Sequence, residues 1–264
     1  MVDLRVLFWY NSFMHWIYLS PHLDDVVLSV GGLVWEQTSA GETVEIWTVC
    51  AGDPPPPPYT PFAQELHSRW GTDGAQTSVV RRAEDQAACR VLGARVRHSP
   101  IPDCIYRRIP PSGEAVIRER DDLFRAYSPD EKYLVAEIAA WIRKSLPDGA
   151  RLVSPLTLGG HVDHRLVRDA AESLAVPLWF YADYPYAIDD PLDHRDLRGQ
   201  VAGYQPAFVQ GISPQALAAW QAAVAAYASQ ISTFWGSLEE MRGRIAAYHQ
   251  EGGGAVLWQV SQKD

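Results

Sequence analysis

The stretch "WIYLSPHLDDVVLS", residues 16–29, decides the fold. Its opening run, Trp16 to Leu19, is continuously apolar, the pattern of a β-strand covered on both faces. Ser20-Pro21 ends the run. From Asp24 onward Val26, Val27, Val30, Leu33 and Val34 recur at helical spacing, and Gly41 offers a stop. Between the two elements stand His22, Asp24 and Asp25. Adjacent carboxylates repel each other, and neither is stable near a core without a compensating partner. The stretch therefore predicts a buried strand that turns into a helix through a charged loop.

The same alternation continues outward. Val44–Val49 reads as a second strand, followed by a helix after Thr77-Ser78 that ends at Gly93 and a short strand around Arg95–His98. Ser128-Pro129-Asp130-Glu131 carries an N-cap, a proline at the first helical position and a capping-box glutamate. The helix it opens repeats Leu134, Ile138, Ile142 and Leu146 before Pro147. Leu152-Val153 is another buried strand, with a helix from about Asp163 to Leu174 and a further strand at Leu178–Tyr181. Strands alternating with helices imply an α/β, Rossmann-like, three-layer fold around a mainly parallel sheet. The last third is mostly helical. Ser213-Pro214 opens a helix with Leu217, Trp220, Val224, Tyr227 and Ile231 inward. Ser237 with Glu240 forms a second capping box, and Val256–Val260 is a closing strand. No internal repeat or Gly/Ser linker divides the chain, so residues 1–264 read as one domain with 1–13 as a non-core extension.

Composition narrows the function classes. A net charge of −9 disfavours nucleic acid, whose binding rests on neutralising phosphates with Lys and Arg. Three cysteines without C-x-x-C spacing argue against a disulfide framework and for a reducing compartment, so the expected location is cytoplasmic. The greasy N-terminus is interrupted by Asn11, Ser12 and His15, which fits neither a signal peptide nor a membrane span. Pro54–Pro58 is a stiff polyproline segment, read either as a plain surface loop or as the rim of a pocket after the second strand.

Ligands of parallel α/β sheets bind beyond the carboxyl ends of the strands. His22-Leu23-Asp24-Asp25 lies just past the first strand. His161-Val162-Asp163-His164 lies past the Leu152-Val153 strand, after Gly159-Gly160. Together they offer imidazoles and carboxylates that a divalent cation would neutralise. Each motif pairs its outer residues three apart, which places them on one face of a first helical turn. Two histidines, one carboxylate and an open position make a catalytic zinc site, with the remaining aspartate close enough to act as base. Taken singly, the aspartates also suit a helix N-terminus and the histidines an exposed loop. Two histidines and a carboxylate also form the facial triad of non-haem Fe(II) oxygenases. A non-catalytic sugar-binding protein on the same scaffold is a third reading. In "YADYPY", residues 181–186, Tyr184 and Tyr186 are candidates for stacking on a sugar face, with packing within the turn as the other reading. "DDPLDHRD", residues 189–196, reads as a solvated acidic loop.

"SPHLDDVVLSVGG" together with "LGGHVDHRLV" resembles the PIG-L/LmbE-like family of zinc-dependent N-acetylglucosaminyl deacetylases, and "RRAEDQAACRVLG" resembles that family's R-x-x-E helix. The resemblance runs from about Ile17 to Pro185. It implies that His22, Asp25 and His164 bind Zn2+, with Fe2+ as the other candidate, and that Asp24 is the general base. It further implies that His161 stabilises the oxyanion or protonates the leaving amine while Asp163 tunes it, and that Arg81 and Asp103 face the substrate. The implied reaction removes an acetyl or other acyl group from an N-acylated amino sugar or its conjugate. Leu23 and Val26 depart from the family's usual proline and glutamate, at positions that supply no ligand.

Overall fold

The computed structural model describes residues 14–188 and 203–261. The extension at 1–13 and the acidic segment 189–196 lie outside the described residues. Among those described, β1 (His15–Ser20), β2 (Thr43–Thr48), β3 (Arg95–His98), β6 (Arg151–Pro155), β7 (Leu178–Tyr181), β8 (Tyr204–Val209) and β9 (Val256–Val260) form one seven-stranded sheet in the order 3-2-1-6-7-9-8. β4 (Arg108–Ile109) and β5 (Glu114–Ala115) make a separate antiparallel pair. Pairing is parallel from β3 to β7, and β9 is antiparallel to both β7 and β8. Tyr18 of β1 is registered with Ile46 on one side and Val153 on the other.

Alternation along β1 builds two cores. Trp16 and Tyr18 point into one hydrophobic cluster and Ile17 and Leu19 into the other, all fully buried. α1 (Asp25–Ser39) and α3 (Gly74–Val91) cover the first face, while α4 (Tyr133–Ser145) and α5 (Val162–Glu172) cover the second. β1 and β6 are the strands at which the winding reverses. Their carboxyl ends open a crevice between chains departing to opposite faces, which is where such sheets bind ligands. That reversal brings the two polar motifs together.

The C-terminal portion packs onto the first face through α6 (Pro214–Ala225) and α8 (Leu238–Gln250). Trp220 is fully buried against Gly31 and Gly32, and its indole N–H donates to the Val27 carbonyl at 2.6 Å. Val30 (φ −142°, ψ 23°) interrupts the helical backbone of α1 three residues further on.

Several expected boundaries move, each for a visible reason. The single helix expected from Pro214 through Ile231 stops at Ala225 and restarts as α7 (Ala228–Phe234). At the break the Tyr227 hydroxyl donates to Asp85 Oδ1 at 2.5 Å, and Glu84 accepts from the Ser229 N–H at 2.8 Å. Glu131 does not close a capping box. It turns inward to Arg107 Nε at 2.7 Å, residues 129–131 form a 3-10 turn, and α4 begins at Tyr133. Glu240 accepts from the Gly236 N–H, one residue before the Ser237 cap, so that box is only half formed. α2 (Pro61–Trp70) and the edge strand β8 were not anticipated, the latter because Pro206 sits in it at a register shift. No described helix is long and apolar enough to cross a membrane.

Candidate active site

The turn after β1 is held by Ser20, whose hydroxyl donates to the His22 carbonyl at 2.6 Å and accepts from the Val26 N–H at 3.2 Å. Asp24 sits at φ 149°, ψ −31°, a region that non-glycine residues rarely occupy and that costs about 1–3 kcal/mol. This twist sends the two aspartates in different directions. Asp25 Oδ2 accepts from the His22 N–H at 2.7 Å and lies 3.2 Å from His22 Nδ1 and 3.4 Å from His164 Nε2. Asp24 Oδ2 instead faces Arg81 at 3.6 Å. Burial and the neighbouring Asp25 push the Asp24 carboxyl up to about 8 against the pull of Arg81. Burial acts on Asp25 in the same sense, yet His164 and His22 outweigh it and hold Asp25 well below the usual carboxylate range. One doublet thus contains two carboxyls in opposite electrostatic states.

Each histidine beside Asp25 has its far nitrogen bound by a buried carboxylate. His22 Nε2 lies 2.9 Å from Asp163 Oδ2, and His164 Nδ1 lies 2.6 Å from Asp183 Oδ1. With a cation bound, a proton kept on the far side would leave His22 Nδ1 and His164 Nε2 free to donate their lone pairs to it. His22, Asp25 and His164 offer one donor atom each within 4.8 Å of one another, and all three are buried or nearly so. Two imidazoles and a carboxylate match the donor set of a zinc or iron(II) site with open positions. Burial disfavours a charged His164, but Asp25 and Asp183 overcome it and raise the imidazole to about 9. The pocket is built for positive charge.

Asp163 reaches beyond its expected role of tuning His161, whose imidazole its negative charge raises against the effect of burial. Its carboxylate binds His22, the Cys104 N–H at 3.1 Å and Arg107 at 2.6 Å, while only its backbone N–H touches His161, donating to Nδ1 at 3.2 Å. The His161 ring caps the start of α5, which places its own proton on Nε2. Burial and the positive potential of His22 and His164 hold it well below its ordinary value, so it is a neutral donor and not an imidazolium. Its ring lies 4.8 Å from that of His22 and 5.1 Å from that of His164.

Arg81 and Asp103 join the Asp24 side of the site. Arg81 lies 3.7 Å from Asp103 and stacks its guanidinium 4.9 Å over Trp70. Tyr186 is half-buried with its ring 5.9 Å from His164 and 6.0 Å from Phe124, which in turn is 6.0 Å from His161. Tyr184 is not at a rim. It is 2% exposed, with its ring 4.9 Å from Tyr248 in the first core. Sequence reasoning missed Asp183, Arg107, Glu131 and Phe124. Asp183 had a usable signal, a carboxylate two residues past the buried end of β7.

The profile of the PIG-L family, described as GlcNAc-PI de-N-acetylase, matches residues 17–175, a span that contains both motifs. The 2'-N-acetylparomamine deacetylases of Niallia circulans and Streptomyces fradiae are 32% identical over 186 residues and 30% over 198, covering 64% and 69% of this chain. The matches span 66% and 63% of those relatives, under two thirds of their length. Among solved structures, the zinc inhibited form of teicoplanin deacetylase superposes with a TM-score of 0.74 at 30% identity, covering 95% of this chain and 99% of that one.

Proposed function

Because the chain belongs to the PIG-L family, we propose that it is a metal-dependent N-deacetylase acting on an N-acetylated amino sugar carried by a larger conjugate. The observation that carries this reading is the convergence of His22, Asp25 and His164, with Asp24 turned aside by an unusual backbone. We read His22 Nδ1, Asp25 Oδ2 and His164 Nε2 as the donors that would hold zinc or iron(II). A dication there would polarise the amide carbonyl and acidify an attacking water.

The chain's own groups supply the rest of the scheme. Asp24 takes the water's proton at its free carboxylate oxygen; beside a dication its acidity rises, opposing the effect of burial. Neutral His161 donates its Nε2–H to the oxygen that becomes negative as the tetrahedral intermediate forms. Protonated Asp24 then returns the proton to the leaving amine, which departs as the C–N bond breaks and acetate forms. Asp163 and Asp183 fix the rings and tautomers of His22 and His164. Arg81 and Asp103 orient sugar hydroxyls, and Tyr186 with Phe124 provides the apolar surface for a ring face.

The named relatives are deacetylases of 2'-N-acetylparomamine and of teicoplanin, so the substrate we favour is an N-acetylated amino sugar carried by a larger conjugate of that kind. None of them is an oxygenase. The test is mass spectrometry of such conjugates incubated with metal-loaded protein. Acetate release that requires the metal supports the reading; recovery of every conjugate unchanged contradicts it.

A further inference from the structure

Arg107 is a buried cation that the hydrolytic scheme does not use. It is 6% exposed, and its three guanidinium nitrogens each meet a different partner. Nε donates to Glu131 Oε1 at 2.7 Å, Nη1 donates to the Pro102 carbonyl at 3.3 Å, and Nη2 lies 2.6 Å from Asp163 Oδ1. Asp163 Oδ2 in turn accepts the Cys104 N–H at 3.1 Å and faces His22 Nε2 at 2.9 Å. The residues immediately before and after Asp103 are therefore both tied to one buried ion pair. Between them, Asp103 Oδ1 accepts the Ile105 N–H at 3.1 Å, while Oδ2 faces Arg81 at 3.7 Å. A buried ion pair is weak evidence for stability, since well-packed apolar residues often serve a core as well. Its position between the two halves of the site is the informative feature.

We propose that Arg107 is a positioning residue: by clamping Pro102 and Asp163 together it registers Asp103, on the substrate side, against His22, on the metal side. The inference rests on reading Asp103 as a substrate contact and His22 as a metal ligand of the proposed deacetylase. Glu131 anchors the guanidinium from the turn before α4, and the planar fork then reaches its other two partners at fixed angles. A lysine keeps the charge, so neither Asp163 nor Glu131 is left as an uncompensated buried anion. Its single ammonium cannot hold all three partners in this geometry. Arg107→Lys thus separates the clamp from the charge.

Two measurements on the full chain test this. Hydrogen exchange of the metal-free protein, followed at single amides by NMR, reads the clamp without substrate. Arg107→Lys should raise the exchange rates of the Cys104 and Ile105 amides, while the amides of β1 and β6 keep their wild-type rates. Unchanged rates at 104 and 105 overturn the proposal, and so does an equal rise throughout the sheet, which marks a general loss of stability. Steady-state acetate release by the metal-loaded protein then supplies a double-mutant cycle with Asp103→Ala. Arg107→Lys alone should lower kcat/KM by up to about 100-fold. In the Asp103→Ala background it should lower it by no more than about twofold, because the residue it positions is already gone. Losses that simply multiply overturn the proposal. If the wild-type protein releases no acetate, the hydrolytic reading fails, and the exchange rates still decide whether Arg107 clamps the segment. If Arg107→Lys does not fold, Glu131→Gln, which loosens the anchor and keeps the fork, takes its place in both measurements with the same outcomes.

Discussion

Replacing Asp183 by asparagine isolates one hydrogen bond behind the candidate metal centre. In the native site Asp183 Oδ1 binds His164 Nδ1 at 2.6 Å and Oδ2 accepts the Leu158 N–H at 3.1 Å, with the side chain 1% exposed. An amide has one acceptor where the carboxylate has two. With its oxygen on His164, its NH2 group meets the Leu158 N–H, donor against donor. Turned over, it donates to Nδ1 and moves the imidazole proton to Nε2, the nitrogen that faces Asp25. Either orientation loses a buried charge-assisted bond, worth about 1.5–3 kcal/mol. Loss of an outer partner of a ligating histidine typically weakens metal binding by about 10–100-fold, or about 1.4–2.8 kcal/mol, so the two scales agree. Competition with a chromogenic chelator measures the zinc affinity directly, and unfolding of the metal-free variant controls for a general loss of stability. A zinc affinity unchanged from wild type would refute the reasoning.

Asp24→Asn should keep its metal and lose on the order of 10²–10⁴-fold in turnover, checked by acetate release alongside metal content, because an amide cannot accept the water's proton. Gly31→Ala should destabilise by about 1–3 kcal/mol in a denaturant titration, since the new Cβ would lie 2.5 Å from Trp220 Cδ1 in a packed core. His67 is buried against the Tyr106 hydroxyl at 2.8 Å, and burial lowers its pKa below 6.5. Below that value the unfolded chain binds a proton that the folded chain does not, so His67 contributes stability that is lost as pH falls. His67→Gln should flatten that acid dependence in pH-resolved unfolding curves, and an unchanged slope would rule the residue out.

The sheet was legible because its central strands are continuously apolar and its helices carry strong periodicity. Trp16–Leu19, Leu152-Val153 and the Val26–Val34 stripe each permit one environment, fully covered. The meeting of the two polar motifs was legible because each follows a strand of the sheet, and β1 and β6 lie side by side. The losses lie where long-range partners outvote local pattern. Glu131 has capping-box spacing but pairs with Arg107, and Tyr227 continues a helical stripe but is claimed by Asp85. Asp163 neighbours His161 in sequence, whereas its carboxylate crosses to His22 because β1 and β6 are adjacent. Tyr184 and Tyr186 look equivalent in "YADYPY", but only Tyr186 packs on the site's imidazoles. Spacing shows which residues are near along the chain, not which side of a strand end they leave from.

The most direct test of the central claim is an anomalous-difference map at the zinc edge from crystals of the zinc-loaded protein, taken at one equivalent. The account predicts one peak about 2 Å from His22 Nδ1, Asp25 Oδ2 and His164 Nε2, with Asp24 beside it and unbonded. A peak elsewhere, or one that keeps full height at the same position in His164→Ala, would contradict it.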